Sequence, residues 1–268
     1  VEENLIDEQP VDQDYSIRLT PNVAKEEVLE DIMHMENHNQ EGLDKDGKFQ
    51  RMYSKEGKST NPKYANQEIG YGIKIEHAWL KKDKKGWPKI NGVAVDIRKG
   101  ITKEQAKTLA RNVMEASYKE AESNFKKWDI MTEMEKGYWA DLVYNGGRKA
   151  ISKNPKALAA AQKGHTVEAM ILSMDFISSN NKRFRGLLNR RITRYNQAAL
   201  EIQGAPVIVE YKYSSTGAVS VKFGDTVASK KISLETALKI NANDGWLTII
   251  PGNDSGKTYT VGKDFKYN

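Results

Sequence analysis

The sequence predicts an α+β chain: a small β-lobe, a larger helical lobe and a C-terminal β-rich module. Three observations carry that expectation. From Thr102 to Gly204 apolar residues recur at helical spacing behind recognisable caps. Residues 41–75 are instead turn-rich, with short apolar runs between Gly, Asp, Asn and Pro. After Gly204 the apolar period changes to two, as in strands with one buried face.

The first 19 residues are acidic and lack apolar periodicity, with Glu2, Glu3, Asp7, Glu8, Asp12 and Asp14 against Arg18. They read as an arm or linker that orders when it docks on a partner. Thr20-Pro21 then supplies an N-cap followed by proline at the first helical position. Behind it Val28, Leu29, Ile32 and Met33 form an apolar stripe, and Glu36 continues that stripe one turn beyond Ile32. A carboxylate there is costly to remove from water and calls for a task.

In the 41–75 stretch Asp44, Asp46, Gly47, Gly57, Asn61 and Pro62 mark turns, while Phe49, Met52 and Tyr53 mark short strands. The lobe ends in Glu68-Ile69-Gly70-Tyr71-Gly72-Ile73, read as a strand whose two glycines let backbone come close to a ligand. Residues 78–100, with Trp79, Gly86, Trp87-Pro88 and Gly92, read as an irregular insertion.

Thr102 with Gln105 and Thr132 with Glu135 are two capping boxes, each opening a helix. The second helix runs through Trp139, Leu142 and Val143 and stops at Asn145-Gly146-Gly147. Asn154-Pro155 opens a helix that Gly164 ends, Thr166 caps the next, and Gly186 precedes the last, Leu187 to Ile202. The tail carries strand-like runs at 207–211, 219–223, 246–250 and 259–261. The domain layout expected is therefore an arm over 1–19, a folded domain over 20–204 and a β-rich accessory or assembly module over 205–268.

A chain of 268 residues with 38% apolar content can hold one sizeable core and a smaller module. Cysteine is absent, which removes disulfide scaffolds, thiolate metal sites and cysteine nucleophiles. Apolar runs are too short for a membrane span, and the N-terminal segment does not have the form of a signal peptide. Val1 at the start reads as a processed chain or one cut from something longer. The net charge of +6 suits an anionic polymer, nucleic acid or bacterial cell wall. Scattered basic residues without a recognised motif argue against nucleic acid. His34, His38, His77 and His165 lack metal-ligand spacing, and neither a phosphate-binding loop nor a nucleophilic serine motif occurs.

Five fragments stand in one order: Glu36 at a helix end, Glu68 to Gly72, Ile101 to Ala106, Tyr144 to Gly147, and Gly186-Leu187 with Arg190-Arg191. In that order, over about residues 23 to 204, the chain resembles the phage-type lysozymes, the muramidases of tailed bacteriophages. The resemblance implies a lysozyme-like fold and cleavage of the β-1,4 bond between N-acetylmuramic acid and N-acetylglucosamine, without a cofactor. Two positions depart from the family: Asn37 stands where a glycine usually follows the catalytic glutamate, and Glu68 stands in place of a threonine.

Glycoside hydrolysis needs a carboxylic acid to protonate the leaving oxygen and a carboxylate across the sugar as base or nucleophile. Glu36 fits the acid, since partial burial favours the protonated carboxyl. Its plainer reading is a helix-terminal glutamate paired with a lysine or with His38. Glu68 fits the second group, against an outward strand residue paired to a lysine. Asp46 is the next choice, against an ordinary turn aspartate, and Asp44 and Glu56 compete with it. Tyr71 is expected to line the sugar cleft or fill the core, and Asn145 to bind substrate or cap its helix. Arg190 and Arg191 read as fastening the last helix.

The leading expectation is a virion-associated peptidoglycan hydrolase of a phage tail or injection apparatus, or one released into the host periplasm and cell wall. Its partners would be bacterial peptidoglycan and other virion proteins reached through the arm and the tail module. The alternatives are a lytic transglycosylase and a non-catalytic glycan-binding or structural tail protein.

Overall fold

The computed structural model describes residues 7–10, 21–53, 67–75, 77–179, 182–183, 185–202, 205–213, 219–224, 240, 243–249 and 260–262. Thr20, Glu56, Gly57, Asn61, Pro62 and Gly204, singled out above, lie outside these residues. The chain opens with β1 (Asp7–Pro10) and α1 (Pro21–Asn37), then β2 (Lys48–Phe49), β3 (Met52–Tyr53), β4 (Gln67–Ile69) and β5 (Ile73–Lys74). Next come β6 (Lys89–Ile90), β7 (Val93–Ala94), β8 (Ile101–Thr102) and α2 (Lys103–Asn124). The helices α3 (Glu133–Gly146), α4 (Pro155–Gln162) and α5 (Thr166–Ser173) precede β9 (Ser178–Ser179), β10 (Lys182–Arg183) and α6 (Arg185–Leu200). The chain closes with β11 (Ile208–Tyr213), β12 (Val219–Phe223), β13 (Asn243–Ile249) and β14 (Thr260–Gly262). It is an α+β protein with a small β-lobe, a larger helical part and a C-terminal β-rich module. By contacts it divides into two compact units, one of residues 25–117 and one of residues 1–24 with 118–268.

In the unit of residues 25–117, the predicted stripe of α1 is buried at Val28, Leu29 and Ile32, and α2 is buried at Ala106, Leu109, Ala110 and Val113. Ion pairs cross between the two helices at Lys25–Glu115 (3.1 Å), Arg111–Glu26 (2.8 Å) and Lys107–Glu30. The Thr102–Gln105 box forms as the sequence predicts, with Gln105 N–H donating to Thr102 Oγ1 at 3.1 Å and Thr102 N–H to Gln105 Oε1 at 2.9 Å. Strands β3, β4 and β5 make an antiparallel sheet in chain order, with Ile69 opposite Ile73.

That register corrects one expectation. Gly70-Tyr71-Gly72 is the turn between β4 and β5, and the glycine-flanked tyrosine is not part of a continuous strand. Gly70 and Gly72 have φ of +66° and +69°, conformations that residues with a Cβ rarely adopt. The supposedly irregular insertion also holds a hairpin, β6–β7, closed by Asn91-Gly92 with φ of +51° and +82°. Asn-Gly is the preferred pair for a two-residue turn of this hand.

In the other unit, the Thr132–Glu135 box opens α3 as expected. Thr166, expected to cap α5, is its first helical residue, and His165 holds the cap position. The Thr166 hydroxyl instead donates to Glu135 Oε1, while Glu135 Oε2 accepts from Thr132 N–H at 2.6 Å. One buried carboxylate thus completes a capping box and ties the start of α5 to α3.

Beyond α6 the antiparallel sheet runs β1-β11-β12-β13-β14. Alternation buries Val219, Val221 and Phe223 on β12 and Leu247 and Ile249 on β13, while on β11 a register shift after Ile208 lets both Ile208 and Tyr211 be buried. The Asn196 amide of α6 bonds both backbone groups of Ile208, at 2.8 and 2.9 Å, and the Tyr195 hydroxyl donates to Pro206 O at 2.6 Å. Within the acidic N-terminal stretch, β1 pairs with β11, from Asp7 opposite Tyr213 to Pro10 opposite Glu210. What this segment docks on is therefore an edge of its own chain. Among the described residues no helix is long and apolar enough to cross a membrane.

Candidate active site

Helix α1 ends at Asn37, which places Glu36 in its last turn, half-buried. The carboxyl lies against the β4–β5 turn. A methyl group at Gly72 would fall 2.9 Å from Glu36 Oε2 and 3.5 Å from its Cβ. At Gly70 a methyl group would fall 2.7 Å from Ala106 Cβ. The two glycines are thus required twice over, by backbone conformation and by close approach, one to α2 and one to the glutamate. The intimate contact that the sequence suggested for a ligand is made, for Gly72, with Glu36 itself.

The residue that sequence reasoning passed over is Asn37, noted only as a departure from the family. It is buried, 8% exposed, and both ends of its amide are hydrogen-bonded. Nδ2 donates to Glu41 O at 3.0 Å and to Gly70 O at 2.8 Å, while Oδ1 accepts from Glu41 N–H at 2.7 Å. The helix end, the following loop and the glycine turn are joined through one side chain. Its signal in the sequence is weak: an asparagine four residues before Glu41 announces a local turn, but nothing announces Gly70.

The other acidic candidates differ in how far they are engaged. Asp44 Oδ1 accepts from the backbone of Asp46 and Lys48, each at 2.9 Å, and Oδ2 from Gln50 Nε2 at 2.6 Å. The Lys48 backbone donor and then the Gln50 side chain hold its carboxyl below the usual range. Asp46 is exposed in the same turn. Glu68, half-buried on β4, sits in register with Met52 on one side and Lys74 on the other. Glu56 lies outside the described residues.

Tyr71 is half-buried at the tip of the turn, its ring edge-on to Phe49 with centroids 5.4 Å apart. Burial, and then the nearby Glu30 carboxylate, push its hydroxyl pKa upward. Asn145 is exposed near the end of α3, in the other unit, and its Oδ1 accepts from Arg191 Nη2 at 3.2 Å.

That arginine belongs to a buried cluster. Arg190 binds Asp141 with Nε at 2.9 and 3.0 Å and Nη2 at 2.6 Å. Arg191 Nη1 lies 3.5 Å and Arg194 Nε 3.6 Å from the same carboxylate. The expected fastening role of Arg190 and Arg191 is what the geometry displays. The sequence reading missed Asp141 and Arg194, although positions 190, 191 and 194 line one helical face. Among the described residues no group of three or more His, Asp or Glu is placed to hold a metal ion.

A helix ending in a half-buried glutamate, a glycine turn laid on its carboxyl, an all-antiparallel small lobe and a separate helical core together define a lysozyme-like α+β protein. Residues 54–194, more than half of the chain, match the phage lysozyme family, and the chain belongs to that family. Glu68, Tyr71 and Asn145 lie inside the matched segment, and Glu36 and Asp46 lie ahead of it. Over 189 residues the chain is 30% identical to the peptidoglycan hydrolase gp36 of Enterobacteria phage SP6. The alignment takes in 69% of this chain and 19% of that protein, so the chain spans about a fifth of the relative's length.

Proposed function

We propose that this chain is a peptidoglycan hydrolase that cleaves the β-1,4 bond between N-acetylmuramic acid and N-acetylglucosamine, with Glu36 as general acid. The observation that carries the reading is the Glu36 carboxyl held at a helix end against the bare backbone of Gly72. Half-burial leaves it open to a glycosidic oxygen while the turn restricts its motion. Family membership supports the same chemistry, as does the name of the phage SP6 relative.

In this reading Glu68 serves as base or nucleophile, with Asp46 as the second choice, and Tyr71 and Asn145 contact the glycan. A separation of about 5–5.5 Å between the two working carboxyls gives retention, and about 6.5–9.5 Å gives inversion. Residues 20–204 form the catalytic domain, 1–19 an arm and 205–268 an accessory module that holds the enzyme within a virion. No cofactor takes part.

Glu36→Gln removes the transferable proton and keeps the shape. Clearing of purified cell walls should drop about 10²–10⁴-fold, and equal clearing by both proteins would overturn the acid assignment. A lytic transglycosylase is the second reading, favoured by the Lys74 neighbour of Glu68 and the three hydrogen bonds that already engage Asp44, since that reaction needs one carboxyl alone. Mass spectrometry separates the two: reducing ends support the hydrolase, and anhydro-muramic ends select the transglycosylase.

A further inference from the structure

We infer that Asn37 is a positioning residue that sets the Glu36 carboxyl against the glycine turn, an inference that rests on reading Glu36 as the acid. The last turn of a helix has carbonyls without intrahelical partners and frays unless something fastens it. Glu36 sits in that turn. Fraying there would carry its carboxyl away from any fixed position.

Asn37 prevents this with bonds in two directions. Toward the following loop, Oδ1 accepts from Glu41 N–H and Nδ2 donates to Glu41 O. Toward the β-lobe, Nδ2 donates to Gly70 O at 2.8 Å. Gly70 is joined through Tyr71 to Gly72, and Gly72 lies under the Glu36 carboxyl. The contacts close a ring from Glu36 through Asn37, Gly70 and Gly72 back to Glu36. Within that ring the side chain of Asn37 supplies a hydrogen-bonded link from helix to turn that does not use the acid. Glycine at position 37 would have no amide to make it.

Both donors of the amide are spent in a buried place, so removing them leaves the carbonyl of Gly70 without this donor. A misplacement of about 1 Å at a reacting group costs on the order of 10²-fold in rate. Position, more than stability, is where the loss should register.

Two substitutions test this. Asn37→Ala removes every bond. Asn37→Asp keeps the acceptor for Glu41 N–H but sets a carboxylate oxygen toward the carbonyls of Glu41 and Gly70. Turnover and KM on purified glycan strands, well below each variant's melting temperature, should show kcat falling about 10- to 100-fold with KM within about threefold, and Asn37→Asp should be the worse. Hydrogen exchange of the 67–75 backbone should quicken in both. If kcat stays within about twofold of the parent while melting temperature falls, Asn37 only fastens a helix end and the inference is overturned. Unchanged exchange over 67–75 overturns it as well. Glu36→Gln run in parallel keeps the two ideas apart. An inactive Glu36→Gln beside fully active Asn37 variants sinks the positioning role alone, and an active Glu36→Gln sinks the acid assignment beneath it.

Discussion

Asp141 on α3 and Glu36 on α1 are both helix-borne carboxylates, in different units, and they differ in depth of burial. Asp141 is fully buried and meets Arg190, Arg191 and Arg194. Glu36 is half-buried and lies on the backbone of Gly72. Burial alone would keep a proton on Asp141, but the three guanidiniums outweigh it and hold the carboxyl far below its usual range. A group ionised so firmly neither gives nor takes a proton near neutral pH. It is a counter-ion for the helical core. The pair teaches that a fully buried carboxyl is not thereby poised for proton transfer, because the charges packed around it decide its state.

The comparison breaks most visibly at Asp141. Asp141→Ala leaves three buried guanidiniums without their shared carboxylate, and the expected loss is about 3–5 kcal/mol in chemical denaturation. A loss under about 1 kcal/mol would mean the cluster is idle. The same residue predicts acid sensitivity. In the unfolded chain an aspartate titrates near about 3.9, whereas in the fold Asp141 stays ionised well below that. The unfolded state therefore binds the extra proton, and Asp141's contribution, complete above about pH 5, is lost as pH falls below about 4. Melting temperature followed from pH 7 to pH 3 should decline over the acid end, and a flat profile contradicts the assignment.

A middle-sized effect sharpens the Glu36 side. Gly72→Ala meets both a disfavoured φ and the glutamate's carboxyl, so it should cost about 1–3 kcal/mol and much of the activity. Gly92→Ala is the control, since Gly92 has φ of +82° and a methyl group added there would meet nothing within 4 Å. It should show strain without loss of turnover, and equal activity losses at the two positions would show that contact with Glu36 is immaterial. The smallest effect is expected at Arg111→Ala, which removes the exposed pair with Glu26 and should change stability by about 0.2–1 kcal/mol. A larger change would mean that the pairs between α1 and α2 do more than decorate the surface.

Much of this architecture was legible because its signals are local. The boxes Thr102–Gln105 and Thr132–Glu135 close over three residues, and Ile32 and Glu36 share a face by helical period alone. The strands of the tail were equally plain, with bounds shifted by one to three residues, as at Ile208–Tyr213 and Asn243–Ile249. What stayed hidden depends on distant partners. Thr166 has the chemistry of a cap, but Glu135, 31 positions away, takes its hydroxyl. Gly70-Tyr71-Gly72 reads as strand or turn according to whether Ile69 faces Ile73, and register is a tertiary fact. Asn37 presented itself as an oddity until Gly70, 33 positions on, supplied the reason. For Glu36, the acid proposed above, the helical period pointed to a buried face, while the turn it leans on was fixed only by the fold.

The short ribbon at Asp7–Pro10 has a practical outcome for anyone dissecting this chain. It covers one flank of β11, which is otherwise covered by β12 on the far flank alone. Trimming the protein before residue 11, or excising 205–268 as a stand-alone fragment, strips that cover and bares a row of backbone donors and acceptors. Such open flanks recruit foreign strands. Self-association of the trimmed protein, rather than unfolding of its helices, is the failure to watch for.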